Sequence, residues 1–330
     1  MFDVAPSAYR ALLGALDLID LGPRPDDFRA AVWAGLSGAR KAIPCRFLYD
    51  ERGSQLFDLI CDLPEYYPTR TETGILARHA GEIARAAGPD VQLVELGSGA
   101  SVKVRLLLDA LERPSAYVAI DISAEHLAAA AARIRADYPG LAVQAVCADY
   151  AEAFDLPEPG AGRRLAFYPG STIGNMPPVE ARDFLALWAR RLGPGSQMLV
   201  GVDLRKDRAV LERAYDDSRG VTAAFSLNLL ARANRELAAD FDLDAFRHEA
   251  RYDERRGRVE IHLRSLRDQE ASVGGRVFAF RDGERIHVED SWKYDLDDFR
   301  RLATAAGYRT RRVWTDPADL FSVHLLDVAE

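Results

Sequence analysis

The feature that most constrains this chain is the alternation of short apolar runs with helix-patterned segments across its middle third. Val91–Gly97 (VQLVELG) is an apolar run closing on glycine, and Val102–Arg113 follows with apolar residues at helical spacing. Ala116–Ile122 reads as a second strand and the alanine-rich Ala124–Tyr138 as its helix. Leu141–Tyr150 is a third strand, Arg163–Asn175 holds a fourth ahead of the helical EARDFLALWARRL, and Gly195–Leu204 is a fifth. Strands alternating with helices of about 10–15 residues form βαβ units and a parallel sheet. The expected fold class is therefore α/β, a doubly wound Rossmann-like sheet with its ligands at the C-terminal strand ends.

The flanks read differently. Residues 1–70 and 206–250 look mostly helical, and RVEIHLRSL and RVFAFRDGERIHVEDSWKY look like antiparallel strands, with RDGE as a hairpin turn. A helix over Leu296–Ala306, capped by Gly307, and strands around TDPADLFSVHLLDV return to the sheet. At 330 residues two domains are expected. The sheet domain spans 70–205 plus 294–330, and a discontinuous α+β substrate domain spans 15–69 plus 206–293.

Composition narrows the function. Forty-three basic against fifty-one acidic residues give a net charge of −8, with no long basic run. That argues against nucleic acid and against an anionic membrane surface as partners. No apolar run is long enough to span a bilayer. The N-terminus lacks a basic n-region and is interrupted by Asp17 and Asp20, so a cytoplasmic setting is expected. Cys45, Cys61 and Cys147 are too scattered for a disulfide framework or zinc site, and the six histidines form no metal-binding spacing, so no metal is expected.

The turn VELGSGAS, with Asp121 and Asp149 ending the next two strands, suits an adenosine-containing cofactor, whose ribose hydroxyls bond a carboxylate. NAD and S-adenosylmethionine both fit that description. The second is favoured because Val102 replaces the third glycine of the dinucleotide pattern, and because Glu95 offers a carboxylate to a cation. Asp149–Tyr150 suits an adenine, and Lys103 is the one basic residue near the turn. The plain alternative is structural glycines with N-capping aspartates.

The runs FLYDERGSQLFDLICDLPEYYPTRTE, LVELGSGASVK, GSTIGN, RAYDDSRGVTAAFSLNLLARANRELAADFDLDAF, EDSWKY and WTDPADLFSV resemble, in that order, the histidine-specific N-alpha-methyltransferase family of ergothioneine biosynthesis. The resemblance covers about residues 28 to 326. It implies a class I methyltransferase that converts L-histidine, through its mono- and dimethylated forms, to hercynine with S-adenosylmethionine. It further implies that Gly97, Lys103, Asp121, Asp149 and Tyr150 bind the cofactor. Tyr66, Gly170, Asn175 and Tyr215 would meet the amino-acid part of the substrate. Tyr49 would stand beside the reacting amine, and Glu289 with Ser291 would read the imidazole. Ile261 departs from the family's pattern, which has a methionine near the imidazole.

The chemistry agrees with those residue types. The amine must be neutral to attack, so a weak partner such as Tyr49 suits it better than a carboxylate base. Aromatic faces at Tyr49, Tyr66 and Tyr67 suit a trimethylammonium product. Read as a regular strand, ERIHVEDSWKY puts His287, Glu289, Ser291 and Lys293 on one face and Ile286, Val288, Asp290 and Trp292 on the other. On the residues alone that polar face is a solvated one and Tyr66–Tyr67 anchor a loop beside Pro68. Asn175 and Tyr215 could donate to a carboxylate. The competing readings are a relative acting on another aromatic amino acid or indole amine, a NAD-dependent dehydrogenase, and a non-catalytic cofactor sensor. A monomer is expected.

Overall fold

The computed structural model describes residues 17–22, 27–98, 102–152, 154–160 and 162–330. Five apolar runs form the parallel heart of an eight-stranded sheet: β2 (Gln92–Leu96), β3 (Ala116–Asp121), β4 (Ala142–Cys147), β5 (Arg164–Tyr168) and β6 (Gln197–Asp203). With β1 (Asp17–Asp20), β12 (Tyr308–Thr315) and β13 (Phe321–Val328), the order is β1-β4-β3-β2-β5-β6-β13-β12. Both faces are covered, which explains why these strands are apolar throughout rather than alternating. Leu93, Tyr117 and Val143 meet α3 (Tyr67–Ala87), α4 (Val102–Leu108) and α5 (Ala124–Asp137) on one side. Val94, Val118 and Val146 meet α6 (Pro178–Leu192) and α9 (Leu296–Ala305) on the other.

One expectation needs correction here. Asp17–Asp20, read as helical and grouped with the substrate domain, is a strand paired parallel to β4 with Asp17 opposite Gln144. The last two strands are antiparallel: β13 lies between β6 and β12 and runs against both. Asp316 makes that reversal by accepting from the Leu320 and Phe321 N–H groups at 2.7 and 2.9 Å.

A further apolar core joins α1 (Phe28–Ser37) and α2 (Glu51–Cys61) to α7 (Arg208–Tyr215) and α8 (Val221–Leu237). They pack on a three-stranded antiparallel sheet ordered β11-β8-β7, from β7 (Phe246–Asp253), β8 (Arg258–Ser265) and β11 (Arg285–Trp292). Val259, Ile261 and Leu263 face the helices, and the alternation along β8 is what a half-covered sheet requires. The RDGE turn does not close a hairpin, a second correction of local structure. Strand β10 (Arg276–Phe280) pairs with β9 (Gln269–Val273), and the turn hands the chain to β11, whose partner is β8. Among the described residues no helix is long and apolar enough to cross a membrane, and no three His, Cys, Asp or Glu side chains cluster as metal ligands.

Candidate active site

The C-terminal ends of β2, β3 and β4 bring Gly97, Asp121, Asp149 and Tyr150 together. Gly97 turns at φ +74°, a conformation other residues resist, and its N–H donates to the Ile120 carbonyl at 2.9 Å. A Cβ there would lie 3.9 Å from the Tyr150 ring, so the turn and this ring form one wall. Tyr150 is held edge-on by Tyr168 and Phe184, at 5.9 and 6.0 Å. Burial first, and then the Asp121 carboxylate, push its hydroxyl up to about 12, so Asp121 acts on the same wall. Asp121 and Asp149 also cap their own turns, accepting from the Ser123 and Ala151 N–H groups at 3.0 and 2.8 Å. Gly99 lies outside the described residues.

Glu95, which the sequence offers as a carboxylate for a cation, lies one residue before the end of its strand. It is buried within β2 and accepts the Tyr117 hydroxyl at 2.5 Å, and burial raises its carboxyl to about 8. Lys103 instead pairs with Glu72 of α3, a fully buried carboxylate that sequence reasoning passed over. Glu72 also accepts the Gly170 N–H at 2.9 and 3.1 Å. Lys103 and Gly170, one expected at the cofactor and one at the substrate, are thus joined through a single carboxylate.

Beyond β5 the chain turns through Ser171, at φ +56°, into a single 3-10 turn over Thr172–Asn175. Asn175 ends that turn, and among the described residues its side chain makes no hydrogen bond. Gly174 is required by a close approach: a Cβ there would lie 2.6 Å from the Trp292 carbonyl of β11. The GSTIGN turn is therefore pressed against β11, the strand that carries Glu289 and Ser291.

Strand β11 is not regular, and this corrects the expected face. Its register with β8 runs from His287 opposite His262 directly to Glu289 opposite Ile261, leaving Val288 as a bulge. The bulge reverses the alternation beyond it. Ile286, Glu289, Ser291 and Lys293 share the covered face with Ile261 and Val259, whereas His287 joins Asp290 and Trp292 on the opposite face. His287 accordingly meets Asp290 at 3.0 Å rather than Glu289. A carboxylate is thereby placed among apolar side chains, and burial raises Glu289 to about 7 against the pull of Lys293 and His287.

Tyr49 follows the short turn Cys45–Leu48, next to Asp50, whose carboxylate caps α2 through the Gly53 N–H at 2.7 Å. The same carboxylate accepts from Asn228 of α8 at 2.7 Å, which pins Tyr49 between two helices. Its ring contacts Phe57 and Phe225 edge-on at 5.5 and 5.4 Å, and although the residue as a whole is 39% exposed its hydroxyl end is enclosed. Burial and then the Glu289 carboxylate hold its hydroxyl well above the usual phenol range, with a smaller push from Tyr150. Glu289 adds to the rise at Tyr66 as well, after burial and Tyr215. Tyr66 packs on Tyr215 at 6.0 Å and on Phe57 at 6.3 Å. Tyr49, Tyr66, Tyr215 and Glu289 thus border one space, with Tyr150 toward the strand ends. Phe57 and Phe225 complete its walls; from sequence they were indistinguishable from core.

Beneath this space lies a charged cluster, also absent from the sequence reading except as Lys293 on a strand face. Asp203, the fully buried end of β6, meets Lys293 and Lys206 at 2.6 Å each and accepts the Tyr67 hydroxyl at 2.8 Å. Burial alone would raise its carboxyl, but the two lysines outweigh burial and hold it below the ordinary aspartate value. Lys293 reaches on to Tyr215 and Ser291, each at 2.7 Å.

The chain is 46% identical over 302 residues to the histidine N-alpha-methyltransferase of Mycolicibacterium smegmatis, an alignment covering 90% of this chain and 94% of the relative. It is 45% identical to the protein of the same name from Mycobacterium tuberculosis, at the same coverage of both chains. Among solved structures, a possible exported protein from Bordetella parapertussis shares the fold, with TM-score 0.51 and 14% identity over 99% of this chain and 100% of that one. The family of S-adenosylmethionine-dependent, histidine-specific methyltransferases matches residues 28–328. A class I methyltransferase sheet with carboxylates at its strand ends, and a match running almost from end to end, make this chain a member of that family.

Proposed function

We propose that the protein transfers three methyl groups, one after another, from S-adenosylmethionine to the α-amine of L-histidine, giving hercynine. The observation that carries this reading is the bulge at Val288, which turns Glu289 and Ser291 together into an aromatic-walled space beside Tyr49. A carboxylate and a hydroxyl suit the two nitrogens of an imidazole, one as acceptor and one as donor. An indole has no second nitrogen and would leave the hydroxyl unmatched.

The residues fit the cofactor on structural grounds: the left-handed Gly97 turn leaves room beside the Tyr150 ring, and Asp121 stands at the adjacent strand end. When bound, S-adenosylmethionine supplies an electrophilic methyl group on a sulfonium sulfur. The protein's part is orientation. With its hydroxyl raised well above the usual phenol range, Tyr49 remains a neutral phenol. It accepts one amine N–H and leaves the nitrogen lone pair aimed toward the Tyr150 end of the space. A phenolate or carboxylate there would instead hold the unreactive ammonium form. Orientation of this kind supplies several kcal/mol of about 7–11 kcal/mol available from well-placed reactants. As methyl groups accumulate, the growing cation is stabilised by the faces of Tyr49, Tyr66 and Phe57, by about 0.5–2 kcal/mol. Asn175 donates to the substrate carboxylate, and the Tyr215 ring, edge-on to Tyr66 at 6.0 Å, walls the space beside it. In this reading the core built from α1, α2, α7, α8 and β7–β11 is the substrate-binding part. In this reading the protein works in the cytoplasm as a monomer on a small-molecule substrate, and its net charge of −8 without a long basic run supports the absence of a nucleic-acid partner.

Mass spectrometry of L-histidine incubated with protein and S-adenosylmethionine tests this, with tryptophan and other aromatic amino acids in parallel. Products one, two and three methyl groups heavier are expected from histidine alone. Equal conversion of tryptophan, or no histidine product, would refute it.

A further inference from the structure

We propose that Lys293 is a positioning residue that sets the proton direction of Ser291 and so makes this hydroxyl an obligatory donor toward the substrate ring. The inference deepens the reading of histidine as substrate and rests on it. It follows from a count of protons and lone pairs in a closed cluster.

Lys293 is 1% exposed and its ammonium has three N–H groups. Three acceptors take them: Asp203 at 2.6 Å, Tyr215 at 2.7 Å and Ser291 at 2.7 Å. Asp203 is kept anionic by Lys206 on its other oxygen at 2.6 Å, so the lysine stays charged and its donors stay committed. Each hydroxyl therefore has one lone pair filled by Lys293. The two hydroxyls are themselves 2.8 Å apart, a distance at which one donates to the other. A phenol is the stronger acid and the poorer acceptor, so Tyr215 donates and Ser291 accepts. Ser291 then has both lone pairs filled, by Lys293 and Tyr215, and its own proton is left to point outward. Glu289, two residues earlier on the same face, has only acceptor oxygens when ionised. The pair therefore offers one donor and one acceptor, the complement of a neutral imidazole with one N–H and one bare nitrogen. Without Lys293 the Ser291 hydroxyl regains a free lone pair and could rotate to accept as well, and the ordering is lost.

The test is a double-variant cycle on the full-length protein: wild type, Lys293→Met, Ser291→Ala and the combined variant. L-histidine and S-adenosylmethionine are titrated separately into each by calorimetry. Lys293→Met should weaken L-histidine roughly 10- to 100-fold, the size of a hydrogen bond to a charged group. It should leave S-adenosylmethionine within about twofold and raise KM far more than it lowers kcat. In the Ser291→Ala background the lysine change should cost little more, because its effect passes through the serine. Wild-type histidine affinity in Lys293→Met, losses that add in full, or a parallel loss of S-adenosylmethionine would overturn the proposal. If Lys293→Met does not fold because Asp203 is left buried without its lysine, the uncharged Asp203→Asn, Lys293→Met pair is used with Asp203→Asn as reference, and the same non-additivity is expected. Failure of the wild type to bind L-histidine would sink the substrate reading and this inference with it, whereas additive losses in a histidine-binding protein would sink this inference alone.

Discussion

Replacing Glu289 by glutamine should make the ligand-free protein more stable and its substrate affinity worse. The carboxyl is raised from 4.5 to about 7, chiefly by burial on the apolar side of β11. Between those two values the folded chain holds more protons than the unfolded one. Folding stability therefore falls as pH rises from 4.5 to about 7 and stays at the lower level above it. At about 1.4 kcal/mol per unit, the full penalty is about 3 kcal/mol. Glutamine resembles the protonated acid in size and polarity but does not titrate. The variant should exceed wild type by about 1 kcal/mol at pH 5.5 and by about 3 kcal/mol at pH 8. Urea unfolding at several pH values, read from tryptophan fluorescence, gives both curves. In the same variant the lost charge-assisted hydrogen bond should weaken L-histidine by about 1.5–3 kcal/mol, roughly 10- to 100-fold in Kd. Parallel stability curves would show that Glu289 is not desolvated, and an unchanged Kd would show that it does not touch the ring. Either result refutes the placement argued from the bulge.

Gly174→Ala drives a methyl group to within 2.6 Å of the Trp292 carbonyl, so unfolding midpoints should show a loss of about 1–3 kcal/mol; a wild-type midpoint would mean the two segments are not in contact. Asp121→Asn should weaken S-adenosylmethionine roughly tenfold or more by calorimetry, with histidine affinity little changed, and equal losses of both would argue for general damage instead. Tyr49→Phe keeps the ring but removes the hydroxyl, so the methylation rate should drop about 10- to 100-fold while histidine still binds, and a normal rate would take Tyr49 out of the mechanism.

Much of the scaffold was legible because its causes are local. The five parallel strands, the helices between them and the acidic residues at strand ends follow from apolar periodicity and turn chemistry within windows of ten to twenty residues. The family blocks located Tyr49, Tyr66, Tyr150, Tyr215, Glu289 and Ser291, and the structure gathers them around one space. Strand β1 was missed because it is four residues long and pairs with a segment far along the chain. RDGE carries a hairpin signature, yet β11 pairs with β8, since strand pairing is decided by the apolar face to be covered. The bulge at Val288 left no sign in the alternation; it emerges when β11 must match β8 on one edge and residues 41–43 on the other.

The amino-acid sequence by itself therefore determined the layered α/β plan, the position of the glycine turn after β2 and the family, since periodicity, glycine placement and block order act along the chain. Tertiary structure alone decided which face Glu289 occupies, that Lys103 and Gly170 meet at Glu72, and that Asp203 and Lys293 form a buried pair under the site. Those facts depend on which groups lose water together, and desolvation is a property of neighbours brought in from distant parts of the chain.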